Sequence, residues 1–274
     1  MEKLIPGSII VTGASGSMGK AISMALAAKG HPVIMACRNP EKAASVKGEI
    51  LSKVPQAHLQ LMQLDLASMQ SIREFAATLK GTRLAGLLNN AGAMPRRYSL
   101  TEDGLEQAVA VNYVGPYLLT RLLLDSFSPD AHIVNVISLT AKYASLDRDF
   151  LHKGPEAFHQ LRTYASSKLA LMLFSIELAK RTPLHVNMSD PGIVDSSMID
   201  LGRWFDPLAD ALFKPLCKRP EQGAAPAISA LESSQTLKIF KGKRCLDVQE
   251  RFLEHPLSGL LWQETAELTG LNNF

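Results

Sequence analysis

The sequence has 274 residues, of which 46% are apolar and 20% are charged, and its formal net charge is +3 at pH 7. A chain of this size and composition can bury one large core, and no linker divides it. The basic residues are scattered and do not interleave with aromatic residues, which argues against a nucleic-acid partner.

The chain carries no pattern typical of secretion, of a membrane span or of a metal site. Its start, residues 1–11, leads directly into a glycine-rich loop and therefore predicts a first strand, not a signal peptide. Apolar runs such as the one that contains Arg121 are too short to span a bilayer. The cysteines at positions 37, 217 and 245 form no metal-spaced pair, which fits a reducing compartment. We expect a soluble, cytoplasmic protein with no integral membrane segment and no metal.

Strand and helix patterns alternate along most of the chain. Short apolar segments bounded by turn residues predict buried strands at 7–11, 33–37, 59–64, 84–88, 132–137 and 185–188. Segments with apolar residues three and four apart predict helices at 18–29, 40–53, 69–79, 105–127 and 162–180. Beyond Gly192 the alternation weakens, and a helix at 220–231 and a last strand at 244–248 are predicted.

This alternation predicts an α/β fold, because a right-handed strand-helix-strand crossover places each helix over a parallel sheet. The expected architecture is a single-domain, doubly wound parallel sheet over 1–274, a Rossmann fold with helices on both faces. The part from 219 to 274 would add the C-terminal helices and strand. In such a fold, ligands bind beyond the carboxyl ends of the strands.

A glycine-rich loop, residues 12–19, joins the first predicted strand to the first helix. Backbone N–H groups and the helix dipole can hold a dinucleotide pyrophosphate at such a loop, and missing β-carbons permit its close approach. A tight turn that needs glycine explains the same loop without a ligand. The predicted phosphate contacts are Gly13, Ser15, Gly16, Ser17, Met18 and Gly19.

The end of the second predicted strand bears on the choice of dinucleotide. It reads Cys37-Arg38-Asn39, with no carboxylate to hold a ribose 2′-hydroxyl. An arginine at this point suits a 2′-phosphate. Arg38 and Asn39 therefore predict NADP(H) in preference to NAD(H), although a solvated arginine at a strand end explains Arg38 equally well.

Further motifs follow the later strands in a fixed order. They are Asp65-Leu66, Asn89-Asn90-Ala91-Gly92, Val111-Asn112, Ser138, Tyr164-Ala165-Ser166-Ser167-Lys168 and Pro191-Gly192-Ile193-Val194-Asp195-Ser196. Each one alone is explained as a cap, a turn or a helix pair. Together, over residues 8–196, they resemble the short-chain dehydrogenase/reductase family, whose members move a hydride between a nicotinamide cofactor and a carbonyl or alcohol.

The resemblance assigns roles to four catalytic residues. Tyr164 would be the general acid and base, and Lys168, four positions further on a helix, would lower the pKa of its phenol. Ser138 would hydrogen-bond the substrate oxygen, and Asn112 would hold a water that connects the lysine to solvent. The further cofactor contacts that the resemblance implies are Asp65, Leu66, Asn90, Ala91, Gly92, Tyr164, Lys168, Pro191, Gly192, Val194 and Ser196.

Two features resemble the branch of retinol dehydrogenases and protochlorophyllide reductases. One is the long separation of Ser138 from Tyr164, and the other is Leu261-Trp262-Gln263-Glu264 near the end of the sequence. An apolar stripe in 204–216 belongs to the segment 195–218, which would close over a lipophilic small-molecule carbonyl or alcohol. Core packing, oligomer contact or peripheral membrane contact explains the same stripe.

Several alternatives stay open at this stage. Ser17 stands where the family usually has the middle glycine, and the resulting glycine spacing resembles nucleotide-sugar epimerases and dehydratases, although the chain beyond Gly192 is too short for their sugar domain. A catalytically silent NADP-binding sensor or scaffold would be marked by loss of Tyr164 or Lys168, and both are present. The helices that contain Asn112 and Tyr164 pair between subunits in many family members, which predicts a homodimer or homotetramer.

Overall fold

The computed structural model describes residues 7–194 and 217–272, and an eight-stranded sheet lies at its centre. The strands lie side by side in the order β3-β2-β1-β4-β5-β6-β7-β8. All pairings are parallel except that of β7 with β8. The strands are β1 (Ser8–Thr12), β2 (Val33–Cys37), β3 (Leu59–Gln63), β4 (Leu84–Asn89), β5 (Phe127–Val136), β6 (His185–Asp190), β7 (Lys238–Lys241) and β8 (Arg244–Asp247).

Helices cover both faces of the sheet, and each face has its own apolar cluster. One cluster joins α1, α2 and α7 to the sheet, and the other joins α3, α5, α6 and the C-terminal helices. The predicted doubly wound α/β fold is therefore confirmed. The helices are α1 (Ser17–Ala28), α2 (Pro40–Lys53), α3 (Met69–Thr78), α4 (Gln107–Val109), α5 (Gly115–Leu122), α6 (Gln160–Arg181), α7 (Pro220–Leu231), α8 (Glu250–Leu253) and α9 (Ser258–Leu268).

The helix predicted at 105–127 differs most from the structure. A π-helical turn, Ala110–Val114, separates α4 from α5, and the helical region ends before Phe127. Phe127 instead begins β5, because it pairs with Leu84 of β4 before a register shift. A proline at position 129 cannot continue a helix, so the chain leaves the helical path here.

Short 3₁₀ turns occupy much of the segment between Ser138 and Tyr164. They span Leu139–Tyr143, Phe150–His152 and Pro155–Ala157. Strand β7 was not predicted, because its four residues carry lysine at both ends and only two buried apolar side chains. Residues 195–216, which include most of the predicted lid, the apolar stripe and Ser196, lie outside the described residues. Within the described ranges, no helix has the length and apolar character needed to cross a bilayer.

Helix α9 packs across α5 and α6 through Trp262, which is 4% exposed. The indole stacks on Phe174 of α6 with ring centroids 5.8 Å apart, and the backbone carbonyl of Trp262 accepts a hydrogen bond from the Tyr117 hydroxyl at 3.0 Å. The guanidinium carbons of Arg121 and Arg181 lie 4.8 and 4.5 Å from the indole centroid. Helix α9 therefore covers the outer side of the helix that carries Tyr164.

We expect Trp262→Ala to lower the free energy of unfolding by about 3–5 kcal/mol, because the substitution empties a packed aromatic site. Chemical denaturation of the two proteins measures the difference. Tyr143→Ala is the matched control, since Tyr143 is 85% exposed and its loss should change stability by no more than about 0.5 kcal/mol. Equal losses in both variants would contradict the packing described for α9.

Candidate active site

Parallel pairing brings the carboxyl ends of β1 to β6 to one edge of the sheet, and the motif residues lie along that edge. Each strand is followed within two positions by a motif residue; in the spatial order of the strands these are Asp65 after β3, Arg38 after β2, Gly13 after β1, Asn90 after β4, Ser138 after β5 and Pro191 after β6. The sequence scatters these residues over much of the chain. The sheet therefore gathers them into a single row.

The path of the glycine loop depends on its first and last glycines. Gly13 has φ +64°, and a β-carbon there would lie 3.0 Å from Cα of Ala91. A β-carbon on Gly19 would lie only 2.2 Å from the carbonyl oxygen of Gly13, so no larger residue fits. Ser17 is the first residue of α1 and leaves this path intact. Helix α1 has no side-chain cap and no acidic residue in its first turn, which suits an anion.

Thr12 ties the glycine loop to the Asn-Asn-Ala-Gly loop, and sequence reasoning missed it. Its Oγ1 accepts hydrogen bonds from the backbone N–H groups of Asn90 and Ala91, both at 3.0 Å. The side-chain amide of Asn90 donates to the Thr12 carbonyl at 2.7 Å. A hydroxyl at the end of an otherwise apolar strand, directly before the first glycine, was the available signal.

The residues predicted near the adenosine end of the cofactor differ in how their side chains are used. Arg38 is exposed at the end of β2. The Asn39 side chain accepts a hydrogen bond from the backbone N–H of Lys42 at 2.8 Å and so caps α2. Asp65 Oδ1 accepts from the backbone N–H of Ala67 at 2.9 Å, while Leu66 is buried. Of this group, Arg38 is the residue whose side chain makes no such contact with the residues that the structure describes.

Ser138 and Tyr164 meet at the centre of the row. Ser138 follows β5, and its hydroxyl lies close enough to that of Tyr164, near the start of α6, to lower the pKa of the phenol. The Ser138 oxygen accepts from the backbone N–H of Thr140 at 3.3 Å and lies 2.9 Å from the Thr140 hydroxyl. The serine and the phenol are thus neighbours at this point of the row.

The pKa of Tyr164 moves opposite to the expectation from the Tyr-x-x-x-Lys spacing. Burial raises the pKa of the phenol, the nearby Ser138 hydroxyl partly opposes that rise, and the charge of Asp190 adds to it. Lys168, at 3% exposure, donates from Nζ to the carbonyl of Val136 at 2.8 Å. Burial of this ammonium lowers the pKa of Lys168 to about 8. Desolvation therefore dominates the pKa of the phenol in this structure, and a lowering of that pKa by Lys168 stays a prediction.

Asn112 lies inside the π-helical turn and is fully buried. Its Oδ1 accepts from the Ala93 N–H at 2.8 Å, and its Nδ2 donates to the Ala93 carbonyl and to Ser167 Oγ at 2.8 and 2.9 Å. It thus joins the loop after Gly92 to the residue beside Lys168. Both amide protons are used in these contacts, and a role in holding water stays a prediction.

The Pro-Gly loop, residues 191–194, is held by three charged residues that the sequence analysis missed. Asp190, 1% exposed, accepts from the Gly192 N–H at 3.0 Å, and its other oxygen lies 3.0 Å from Lys241 Nζ. Lys218 Nζ donates to the Pro191 carbonyl at 2.9 Å. An acidic residue at the end of an apolar strand was a usable signal for Asp190. Lys218 and Lys241 reach the loop only through tertiary contacts.

Comparisons with known proteins agree on one family. The family model described as short chain dehydrogenase matches residues 8–202. Retinol dehydrogenase 13 of Homo sapiens is 34% identical over 287 aligned residues, which cover 97% of this chain and 86% of that protein. Polyprenol dehydrogenase of Homo sapiens is 34% identical over 281 residues, covering 96% and 84%. The solved structure of a short-chain dehydrogenase from Sphingobium yanoikuyae in complex with NADPH has a TM-score of 0.66 at 18% identity, with coverage of 94% and 95%.

We expect Asp190→Asn to lower the pKa of Tyr164, because the amide keeps an acceptor for the Gly192 N–H and removes the negative charge that disfavours the phenolate. Lys241→Met should raise the same pKa, since it leaves that charge unpaired. Ultraviolet titration of tyrosinate, with Tyr164→Phe as background, measures both. Shifts in the same direction in the two variants would contradict this electrostatic coupling.

Proposed function

Because the chain belongs to the short-chain dehydrogenase family, in the retinol dehydrogenase branch, we propose that it reduces and oxidises a lipophilic carbonyl–alcohol pair, with NADP(H) as cofactor and Tyr164 as general acid and base. Family membership makes the protein an oxidoreductase that uses a nicotinamide cofactor. The observation that carries the finer proposal is that Ser138 lies close enough to Tyr164 to lower the pKa of its phenol, at the point where β5 meets the row of motif residues.

The residues at the sheet edge fit a nicotinamide dinucleotide. The glycine loop, whose tight path a β-carbon at Gly13 or Gly19 would block, forms a cradle with the uncapped start of α1. That cradle would hold the pyrophosphate. Asp65 and Leu66 would face the adenine, the loop at 90–92 would follow the ribose, and the Pro-Gly loop would meet the nicotinamide. When bound, the cofactor supplies or accepts the hydride.

Tyr164 and Ser138 would act on the substrate oxygen. Burial keeps the Tyr164 phenol protonated at neutral pH, which is the form that carbonyl reduction needs. The phenol donates its proton as negative charge develops on that oxygen, and the Ser138 hydroxyl donates a second hydrogen bond to it. Alcohol oxidation reverses the proton transfer. Lys168 would supply positive charge behind the phenol and release a proton readily, since burial lowers its pKa to about 8.

Two observations support the choice of cofactor and of substrate class. Arg38 is exposed at the end of β2 with no acidic neighbour at 37–39, which suits a 2′-phosphate. The relatives with 34% identity are named for retinol and for polyprenol, both apolar alcohols. A lipophilic substrate is proposed for this chain on that basis, and a lid formed by 195–218 remains a prediction.

Self-association and location also remain proposals. Helix α9 covers the outer side of α5 and α6, so we propose that pairing between subunits, where it occurs, uses another surface. The free cysteines among the described residues, buried Cys37, half-buried Cys217 and exposed Cys245, are consistent with a cytoplasmic location.

Tyr164→Phe should lower turnover by about 10²- to 10⁴-fold, the usual contribution of a positioned general acid, while NADPH binding is retained. The assay follows NADPH absorbance with retinoid, steroid and long-chain aldehydes or ketones, with short aliphatic carbonyls for comparison. Unchanged turnover in the variant would remove Tyr164 from the mechanism. Cofactor binding by the wild-type protein without turnover of any carbonyl would favour the sensor alternative.

Arg38→Asp should weaken NADPH binding by about 10- to 100-fold, because a charge-assisted contact to the 2′-phosphate becomes repulsive. NADH binding should change little. Nicotinamide fluorescence titrations with both cofactors measure the two affinities. Arg148→Asp makes the same charge change at an exposed residue away from the row and should leave both affinities unaltered. Equal effects on NADPH and NADH would overturn the assignment of Arg38 to the 2′-phosphate.

A further inference from the structure

Lys218 closes the base of the Pro-Gly loop. Its backbone N–H donates to the carbonyl of Ile193 at 2.9 Å, and it forms an isolated parallel bridge with Val194. These backbone contacts hold Lys218 beside the loop, at the point where the chain enters α7. Its side chain therefore starts from a fixed position next to the residues that follow β6.

The ammonium group of Lys218 lies against the loop itself. Nζ donates to the carbonyl of Pro191 at 2.9 Å. Gly192, at φ +75°, presents no side chain here, and a β-carbon on it would lie 3.0 Å from the same Nζ atom. The lysine is half-buried, so water screens its positive charge less than it screens the charge of a fully exposed lysine.

The charged side chains around the loop sum to a positive charge. The buried carboxylate of Asp190 lies 3.0 Å from Nζ of Lys241 and accepts from the Gly192 N–H at 3.0 Å. Among the described residues, no carboxylate forms an ion pair with Lys218. Glu221, in the first turn of α7, is exposed. One carboxylate therefore stands against two ammonium groups, and the described part of the chain leaves the charge of Lys218 uncompensated.

This charge lies at the part of the row where the proposed chemistry takes place. The charge of Asp190, the last residue of β6, acts on the phenol of Tyr164. On the other side, a β-carbon on Gly223 of α7 would lie 2.5 Å from the Val194 side chain and 3.5 Å from Met18 Sδ. The Pro-Gly loop therefore meets the starts of α7 and α1, between Tyr164 and the glycine loop. In the proposed function, the nicotinamide occupies this region.

We propose that the charge of Lys218 makes the site prefer the reduced cofactor to the oxidised one. This inference rests on the proposed function, in which the nicotinamide meets the Pro-Gly loop. An oxidised nicotinamide ring carries a positive charge and a reduced ring carries none, so the Lys218 ammonium repels only the oxidised form. Both forms have the same phosphates, and any attraction of Lys218 to those groups is equal for the two. The residue thus selects NADPH from a mixture of both forms and favours release of NADP⁺ after hydride transfer.

Isothermal titration of the full chain with NADPH and with NADP⁺ tests the proposal through the ratio of the two dissociation constants. Lys218→Gln keeps an N–H donor for the Pro191 carbonyl and removes the charge, so it should lower the preference for NADPH by about 3- to 10-fold. Lys218→Arg keeps the charge and should retain the wild-type ratio. Lys243→Gln makes the same change at an exposed lysine between β7 and β8 and should leave the ratio unaltered.

The outcomes separate this inference from the proposed function. If Lys218→Gln weakens the binding of both forms equally, the residue acts on the phosphates or on loop structure, and the proposal is overturned. An unchanged ratio in Lys218→Gln, or the same loss of preference in Lys218→Arg, would also overturn it. In each of these cases the wild-type protein still binds NADPH, and the proposed cofactor stands. Absence of binding of either form to the wild-type protein would instead reject the proposed cofactor, and this inference with it.

Discussion

Parallel pairing of β1 to β6 is the constraint on which every part of the site depends, because it sends six strand ends to the same edge. The register is fixed by side chains as well as by the sheet: the Thr12 hydroxyl accepts from Asn90 and Ala91 and so locks the ends of β1 and β4 together. Gly13 and Gly19 then let backbone approach backbone where any β-carbon would collide. The cradle for a pyrophosphate is a result of these backbone contacts, and it does not rely on any charged side chain.

Buried charges mark the chemistry that this framework supports. Lys168 is buried, and its ammonium donates to the carbonyl of Val136. Asp190 is buried with two partners, one in the Pro-Gly loop and one on β7. Desolvation destabilises a charged group unless partners compensate it, and burial accordingly lowers the pKa of Lys168 to about 8. Lys168 and Asp190 both lie around Tyr164, where a proton must move if the proposed reaction takes place.

The sequence predicts the framework well because its signals are local. Each strand before a motif is a short apolar run, and each helix is a run with helical spacing, so the alternation could be read directly. The two lysines that fix the Pro-Gly loop could not be predicted, for the opposite reason. Lys241 reaches Asp190 only after β7 pairs with β6, and Lys218 donates to a carbonyl that lies 27 positions away in the sequence. The predicted end of the helix at 105–127 is wrong for the same reason, because Phe127 joins β5 through a long-range pairing.

Within the site, residue identity was easier to predict than protonation. Ser138 and Tyr164 come together as expected, because one follows a strand and the other begins the neighbouring helix. The direction of the Tyr164 pKa shift could not be read from a four-residue spacing, since it depends on how much water the fold removes around the phenol. The contacts of Asn112 could not be predicted either, because its three side-chain hydrogen bonds depend on where the loop after Gly92 lies.

The packing of α9 also has a consequence for the order of events during synthesis. Tyr113 and Tyr117 are covered by residues of α9, to which their hydroxyls are hydrogen-bonded. Every strand of the sheet leaves the ribosome before α9 does. Until α9 is synthesised, the aromatic rings on the outer side of α5 and α6 stay exposed, even if all eight strands of the sheet have already formed. The helix that carries Tyr164 therefore reaches its final surroundings only at a late stage of translation. Before that stage, chaperones that bind exposed aromatic surface can bind this part of the nascent chain.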